Sequence, residues 1–136
     1  MKAAEQHALP VLQHTWDTLR KPMRKLHSDP IDTCLLARRF PNVKVIMAHL
    51  HSFGVRGVLE AQGLSNLYID TSSCLPFAGL IEYAVEKIGP DRILYGSDIP
   101  IRELGQCIGR VIGADIDEET KKRILYSNAH TLFDLA

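Results

Sequence analysis

Short apolar runs alternate with stretches of helical spacing along this chain. The run V-K-V-I-M-A at residues 43–48 is almost continuously apolar, which is typical of a strand buried on both faces. Three other runs share its lack of helical periodicity. Together they predict four strands, at residues 9–14, 43–48, 67–71 and 92–97.

Helical signals accompany these predicted strands. Asp29 and Pro30 supply an N-cap and a first-turn proline, and Pro41 ends the helix that they begin. Gly63 is a suitable C-terminal cap for the helix before it. The pattern predicts helices ending near residue 7, after Asp29, over 54–61, from Pro76 to Ile88, over 103–112, from Asp117 through Arg123, and over 128–135 with Asn128 as N-cap.

Alternation of strands and helices indicates an α/β fold with a parallel sheet and right-handed crossovers. The length of 136 residues suits a single domain, which we place at 1–136. Neither G-x-G-x-x-G nor G-x-x-x-x-G-K follows any predicted strand, and this argues against a nucleotide-binding doubly wound sheet.

Composition narrows the range of partners. The chain has 16 basic and 16 acidic residues, so its balance of charge favours neither nucleic acid nor an anionic membrane surface. It lacks both a run of about 20 apolar residues and the apolar core of a signal peptide, and we expect a cytoplasmic protein. Cys34, Cys74 and Cys107 form no C-x-x-C pair and are expected to be free thiols.

Three polar residues stand at the carboxyl ends of predicted strands: His14, His49 and Asp98. Parallel strands present their carboxyl ends on one rim, so these side chains are expected to share it. Imidazole and carboxylate suit zinc, iron or manganese. Each residue also has a plain alternative, because a lone histidine is commonly structural and Gly-Ser-Asp before a proline is ordinary turn chemistry.

Other polar residues near the strand ends have weaker signals. His49-Leu50-His51 is an H-x-H that chelates if it is extended, although His51 is better explained as a solvent-facing loop residue. Trp16 and Ser72 are candidates for a substrate pocket. Arg20 and Arg24 lie in the loop after the first strand, where a pocket for an acidic substrate is one explanation and a solvated basic loop is the favoured one. A structural role is expected for Asp70 and His130.

Several segments in register resemble the second half of the amidohydrolase-related metal-dependent hydrolases, a branch of the amidohydrolase superfamily that includes decarboxylases of the aminocarboxymuconate-semialdehyde type. The resemblance covers nearly the whole chain and implies units five to eight of a barrel of eight strand-helix units. The fold class is therefore expected to be half of a TIM barrel with additional C-terminal helices. The matching segments are L-P-V-L-Q-H-T, R-R-F-P-N-V-K-V-I-M-A-H-L, L-Y-I-D-T-S, G-P-D-R-I-L-Y-G-S-D-I-P and I-L-Y-S-N-A-H-T-L-F.

The resemblance also implies roles for individual residues. His14 matches the fifth-strand metal ligand, and Asp98 matches the eighth-strand aspartate that binds metal and accepts a proton. His49 matches the sixth-strand histidine that orients or activates water or substrate. The implied cofactor is a divalent metal, with zinc preferred over manganese or iron. Asn128 and Ala129 match a structural segment, and His51 stands where members of the family usually have glycine.

The family's first-strand H-x-H pair has no counterpart in these 136 residues. Four units cannot close a barrel, so we expect a piece of a longer protein, a homo-oligomer or a chain that pairs with another half-barrel. Leu12, Val45 and Met47 are expected on the inward face. Two functions remain open: a hydrolase or decarboxylase acting on a small molecule, and a non-catalytic half-barrel that serves as a structural or oligomer-forming module.

Overall fold

A parallel sheet forms the centre of the computed structural model, which describes residues 1–16, 29–73 and 77–135, with only the backbone at 51–53. Its strands lie side by side in chain order, and each pairs in parallel with the next. They are β1 (Val11–Gln13), β2 (Val45–Met47), β3 (Leu67–Asp70) and β4 (Ile93–Leu94). The predicted parallel architecture is confirmed, although each strand is shorter than predicted.

Helices connect and follow these strands. Among the described residues, no helix is both long enough and apolar enough to cross a bilayer. A 3₁₀ turn at Pro90–Arg92 precedes β4, and a π-helical turn at Arg123–Ser127 joins the last two helices. The helices are α1 (Lys2–Gln6), α2 (Pro30–Arg39), α3 (Leu50–Glu60), α4 (Leu80–Ile88), α5 (Leu104–Ile112), α6 (Glu118–Lys122) and α7 (Asn128–Leu132).

The two faces of the sheet differ in how completely other elements pack against them. Val45, Met47 and Ile69 are fully buried in the main core, which α2, α3 and α4 share. The register places Leu12 beside Ile46 on the opposite face, where Leu12 is 63% exposed. The expectation that Val45 and Met47 share the inward face with Leu12 is therefore wrong. Side chains alternate along a strand, and the partner of Val45 is Val11.

The first long helix begins as its sequence predicts. The carboxylate of Asp29 accepts a hydrogen bond from the Ile31 N–H, and Asp32 accepts one from the Asp29 N–H, which completes a capping box at the start of α2. α3 follows the prediction less closely. It begins at Leu50 and is interrupted at Gly54, whose φ of 56° is not helical.

Asn128 does not cap a helix, contrary to the prediction. Its backbone is helical, and so are Ser127 before it and the π-helical turn that leads to it. The buried side-chain amide instead donates to the carbonyl oxygens of Pro90 and Ile93, each at 2.7 Å. These bonds fix α7 against β4, where Leu132 packs on Ile46 and Leu94. The structural role expected for Asn128 is consistent with this contact.

Asn128→Ala should lower the free energy of unfolding by about 2 kcal/mol, because two carbonyl groups lose their donor in a buried position. Urea unfolding followed by circular dichroism measures this change. Asn42→Ala is the matched control, since the Asn42 amide bonds to Glu5 at the surface. The control should change stability by less than about 0.5 kcal/mol. Equal effects of the two substitutions would contradict the role of Asn128 as an anchor.

Candidate active site

A cavity of about 640 Å³ opens at the carboxyl ends of the strands and along the inner face of the sheet. It brings together the three residues predicted at the strand ends, His14, His49 and Asp98. Its polar wall also contains Asp70 and Ser72. The apolar wall includes Leu12, Ile46, Leu94 and Phe133.

His49 lies between β2 and α3 in the left-handed region, with φ at 77°. Its backbone N–H donates to Asp70 Oδ1 at 2.9 Å, and its Nδ1 lies 2.7 Å from Ser72 Oγ. β2 ends at Met47 and α3 begins at Leu50, so the H-x-H sequence is not an extended chelating pair. The side chain of His51 lies outside the described residues.

Burial lowers the pKa of His49 below its ordinary value. The charges of Asp70 and Asp98 oppose this shift, whereas His14 and Arg102 add to it. Desolvation dominates because charging an imidazole in a buried position costs more than the two carboxylates return. His49 is therefore a neutral imidazole near pH 7.

Three aromatic rings pack together at one end of the cavity. The rings of His14 and Trp16 are parallel, with centroids 6.3 Å apart. The ring of His49 stands edge-on to both, at 4.9 Å from His14 and 6.0 Å from Trp16. Trp16 therefore contacts both histidines but is not among the residues that line the cavity, and its place in a substrate pocket stays a prediction.

Asp98 lies beyond the end of β4, which is shorter than predicted because the Tyr95 N–H donates to Ile124 O rather than to the sheet. Its φ is 59°, and its carboxylate faces Arg102, whose Nε is 3.8 Å from Oδ2. In the described turn, the N–H groups of Ile101 and Arg102 donate to the backbone carbonyl of Asp98. The hydrogen bonds that close this turn are therefore accepted by the backbone carbonyl of Asp98 and not by its carboxylate.

The donor types fit a divalent cation, since imidazole and carboxylate are common ligands of zinc and manganese. The number of donors is smaller than a complete site requires. Across residues 1–16, 29–73 and 77–135, no group of three or more His, Cys, Asp or Glu side chains is arranged to hold one ion. A cation bound by His14 and Asp98 would therefore need further ligands.

Asp70 is more central to the site than the sequence indicates. Its Oδ1 accepts hydrogen bonds from the backbone N–H groups of His49 and Ser72, and from the Ser72 hydroxyl. Gly96 provides the room for this arrangement, because a Cβ at that position would lie 2.9 Å from Asp70 Cγ and 3.1 Å from Ser72 Cβ. Ser72, predicted as a pocket residue, lines the cavity with its hydroxyl already bound to protein groups.

The remaining predicted residues lie elsewhere. His130 is on α7, with its ring centroid 5.3 Å from that of Tyr126. Cys34 and Cys107 are buried free thiols, as expected. Burial raises the pKa of Cys34 to about 11, so this thiol is unreactive near neutral pH. The predictions for Arg20, Arg24 and Cys74 fall outside the described residues.

The chain is similar to known proteins along almost its whole length. A family model described as amidohydrolase matches residues 1–135. A TIM-barrel protein from Bordetella bronchiseptica has 20% identity and a TM-score of 0.76, with 98% of this chain and 48% of the other covered. The resemblance and the half-barrel fold class predicted from the sequence are confirmed.

Two decarboxylases have the same fold. The 2,6-dihydroxybenzoate decarboxylase from Rhizobium has 18% identity and a TM-score of 0.74, with 98% of this chain and 54% of the other covered. A dihydroxybenzoic acid decarboxylase from Polaromonas, with bound manganese and the inhibitor 2-nitroresorcinol, has 20% identity and a TM-score of 0.72, with 98% and 52% covered. The chain therefore spans about half the length of the structures it matches.

Gly96→Ala should destabilise the protein by about 1 to 3 kcal/mol, because the new methyl group displaces Asp70 and Ser72. Gly109→Ala, within α5, is the matched control, since a Cβ there has no atom within 4 Å. It should be neutral or stabilise the fold by up to about 1 kcal/mol. Thermal unfolding of both variants measures the difference, and a stable Gly96→Ala protein would show that the packing of Gly96 against Asp70 and Ser72 is loose.

Proposed function

Because this chain belongs to the amidohydrolase family, we propose that it supplies half of the active site of a metal-dependent decarboxylase or hydrolase that acts on a small molecule. The observation that carries the proposal is that one cavity is lined by His14, His49 and Asp98, which follow three different strands. Two neighbours in fold are decarboxylases of dihydroxybenzoic acids, so a small aromatic acid is the first substrate to test.

His14 and Asp98 are the residues that would hold a divalent cation, together with ligands from outside the described part of the chain. When bound, such an ion polarises a substrate oxygen or activates water. The sequence favours zinc, and the Polaromonas neighbour contains manganese. Both ions belong in the test.

The chain's own residues contribute proton transfer and orientation. His49 is neutral near pH 7, so it is able to accept a proton from a substrate hydroxyl or from water and to return it later. The apolar wall formed by Leu12, Ile46 and Phe133 suits the face of an aromatic ring. Ring contact on that wall would orient a polar substituent toward the rim that contains the two histidines.

The second candidate function is a non-catalytic half-barrel that forms oligomers. Leu12, on the first strand of the sheet, is the observation that favours it, since this side chain is 63% exposed next to the buried Ile46. An exposed apolar residue on an edge strand favours pairing with another chain. Pairing does not exclude catalysis, because a second half would also bring further ligands to the cavity.

The exposed Leu12 leads to a prediction about the oligomeric state. We expect a dimer or larger species, because four units leave the barrel open, and covering the 63% exposed side chain of Leu12 contributes about 1 to 2 kcal/mol to closing it. Sedimentation velocity at micromolar concentration measures the mass. Leu12→Glu should shift the protein toward monomer, whereas Leu35→Glu, at an exposed position on α2, should not. A wild-type protein that sediments as a stable monomer would contradict the pairing.

The affinity of the chain for a divalent cation separates the two candidate functions. Asp98→Ala should weaken binding of zinc or manganese by at least about 10-fold, because a carboxylate ligand is lost. His7→Ala, at the exposed end of α1, should leave the affinity unchanged. Calorimetric titration of the metal-free protein gives both values. A wild-type chain that binds neither ion would favour the non-catalytic module.

Release of carbon dioxide from 2,6-dihydroxybenzoate then tests the reaction itself. The manganese-loaded assembly, in which a second half supplies the further ligands, should release it, and the Asp98→Ala and His49→Gln variants should not. Metal binding without any release would point to hydrolysis, or to a different substrate.

A further inference from the structure

Two groups face the single hydroxyl hydrogen of Ser72. Its Oγ lies 2.7 Å from His49 Nδ1 and also hydrogen-bonds to Asp70 Oδ1. Ser72 is 3% exposed, Asp70 8% and His49 7%, so water does not easily replace any of these contacts. The direction of each hydrogen bond is therefore decided by the protein groups themselves.

An ionised carboxylate can only accept hydrogen bonds. Asp70 Oδ1 already gathers the backbone N–H groups of His49 and Ser72, both at 2.9 Å, and is the natural destination of the hydroxyl hydrogen. Once that hydrogen points to Asp70, Ser72 Oγ has only lone pairs to offer to His49. A nitrogen at 2.7 Å from those lone pairs must carry a hydrogen.

We infer that Asp70 and Ser72 are positioning residues that hold neutral His49 as its Nδ1–H tautomer and leave Nε2 as the nitrogen with a free lone pair. The chain of hydrogen bonds runs from His49 Nδ1 to Ser72 Oγ and from Ser72 Oγ to Asp70 Oδ1. It connects the end of β2 with the end of β3. The role of this tautomer in a reaction rests on the proposed function, whereas the tautomer itself is a property of the folded chain.

The tautomer determines how His49 acts. In its resting state Nε2 accepts a hydrogen bond, so it binds a hydroxyl group or a water molecule rather than a carbonyl oxygen. When a proton moves from that O–H to Nε2, the electron pair of the broken bond stays on the oxygen. The resulting N–H then returns the same proton in a later step, and the positive charge lies beside the carboxylate of Asp70, which stabilises it through Ser72.

Long-range proton–nitrogen NMR of the ¹⁵N-histidine-labelled, metal-free protein at pH 8 tests the inference. The two ring nitrogens of a neutral imidazole have distinct shifts according to which one carries hydrogen, and the spectrum of His49→Gln assigns the signals. The wild-type protein should show protonated Nδ1 and unprotonated Nε2 at His49. Protonated Nε2 in the wild type would overturn the inference outright.

Ser72→Ala removes the acceptor of the Nδ1 hydrogen and should increase the share of the Nε2–H tautomer at least several-fold. Ser97→Ala is the matched control, because it deletes another hydroxyl of the cavity wall, whose bond goes to the Ile99 N–H. The control should leave the signals of His49 in place. An unchanged tautomer in a folded Ser72→Ala protein would overturn the role of Ser72. If that variant does not fold, the wild-type spectrum decides.

The outcome is separable from the fate of the proposed function. A chain that binds no metal and releases no carbon dioxide, but still shows the Nδ1–H tautomer, would refute the enzyme and leave this inference standing. An active enzyme with the Nε2–H tautomer would support the proposed function and refute this inference.

Discussion

The buried carboxylate of Asp70 is the constraint on which the carboxyl-terminal rim of this sheet depends. A charged group at 8% exposure is tolerable only if its oxygens are well supplied with donors. Oδ1 gathers two backbone N–H groups and one hydroxyl, from segments that follow β2 and β3. The same contacts determine where the ring of His49 lies, so Asp70 Oδ1 both holds the fold together at this rim and positions a residue of the candidate site.

Local pattern was sufficient to predict the parallel order of the sheet, because apolar runs and helix caps are local signals. Local pattern did not predict those features that depend on a hydrogen bond to a residue far away in the sequence. β4 ends at Leu94 because the Tyr95 N–H finds Ile124 O, some thirty positions later, and no property of residues 92–97 indicates that bond. The prediction that Asn128 is an N-cap was wrong for the same reason. The fold brings the carbonyl groups of Pro90 and Ile93 close to its side-chain amide, which donates to them instead of capping a helix.

The candidate site likewise contains some residues that local sequence indicates and others whose role depends on the fold. His14, His49 and Asp98 were predictable because polar side chains at the ends of apolar runs are conspicuous. Asp70 is also a polar residue at a strand end, but its importance depends on the close approach of Gly96 from the segment that follows β4. The arrangement of Arg102 near Asp98 likewise appears only when the turn after β4 is folded.

His49 and Asp98 share a backbone feature with a wider meaning, since both lie in the left-handed region, at φ of 77° and 59°. A residue with a Cβ pays about 1 kcal/mol or more for that conformation, which glycine adopts freely. A search for more stable variants would therefore try glycine at these two positions, as it would at Ala8, Ser73 and Asp134, the other described non-glycine residues with positive φ. Glycine in place of His49 and Asp98 would relax the backbone and remove the imidazole and the carboxylate together, so selection for thermal stability alone would remove two residues of the candidate site.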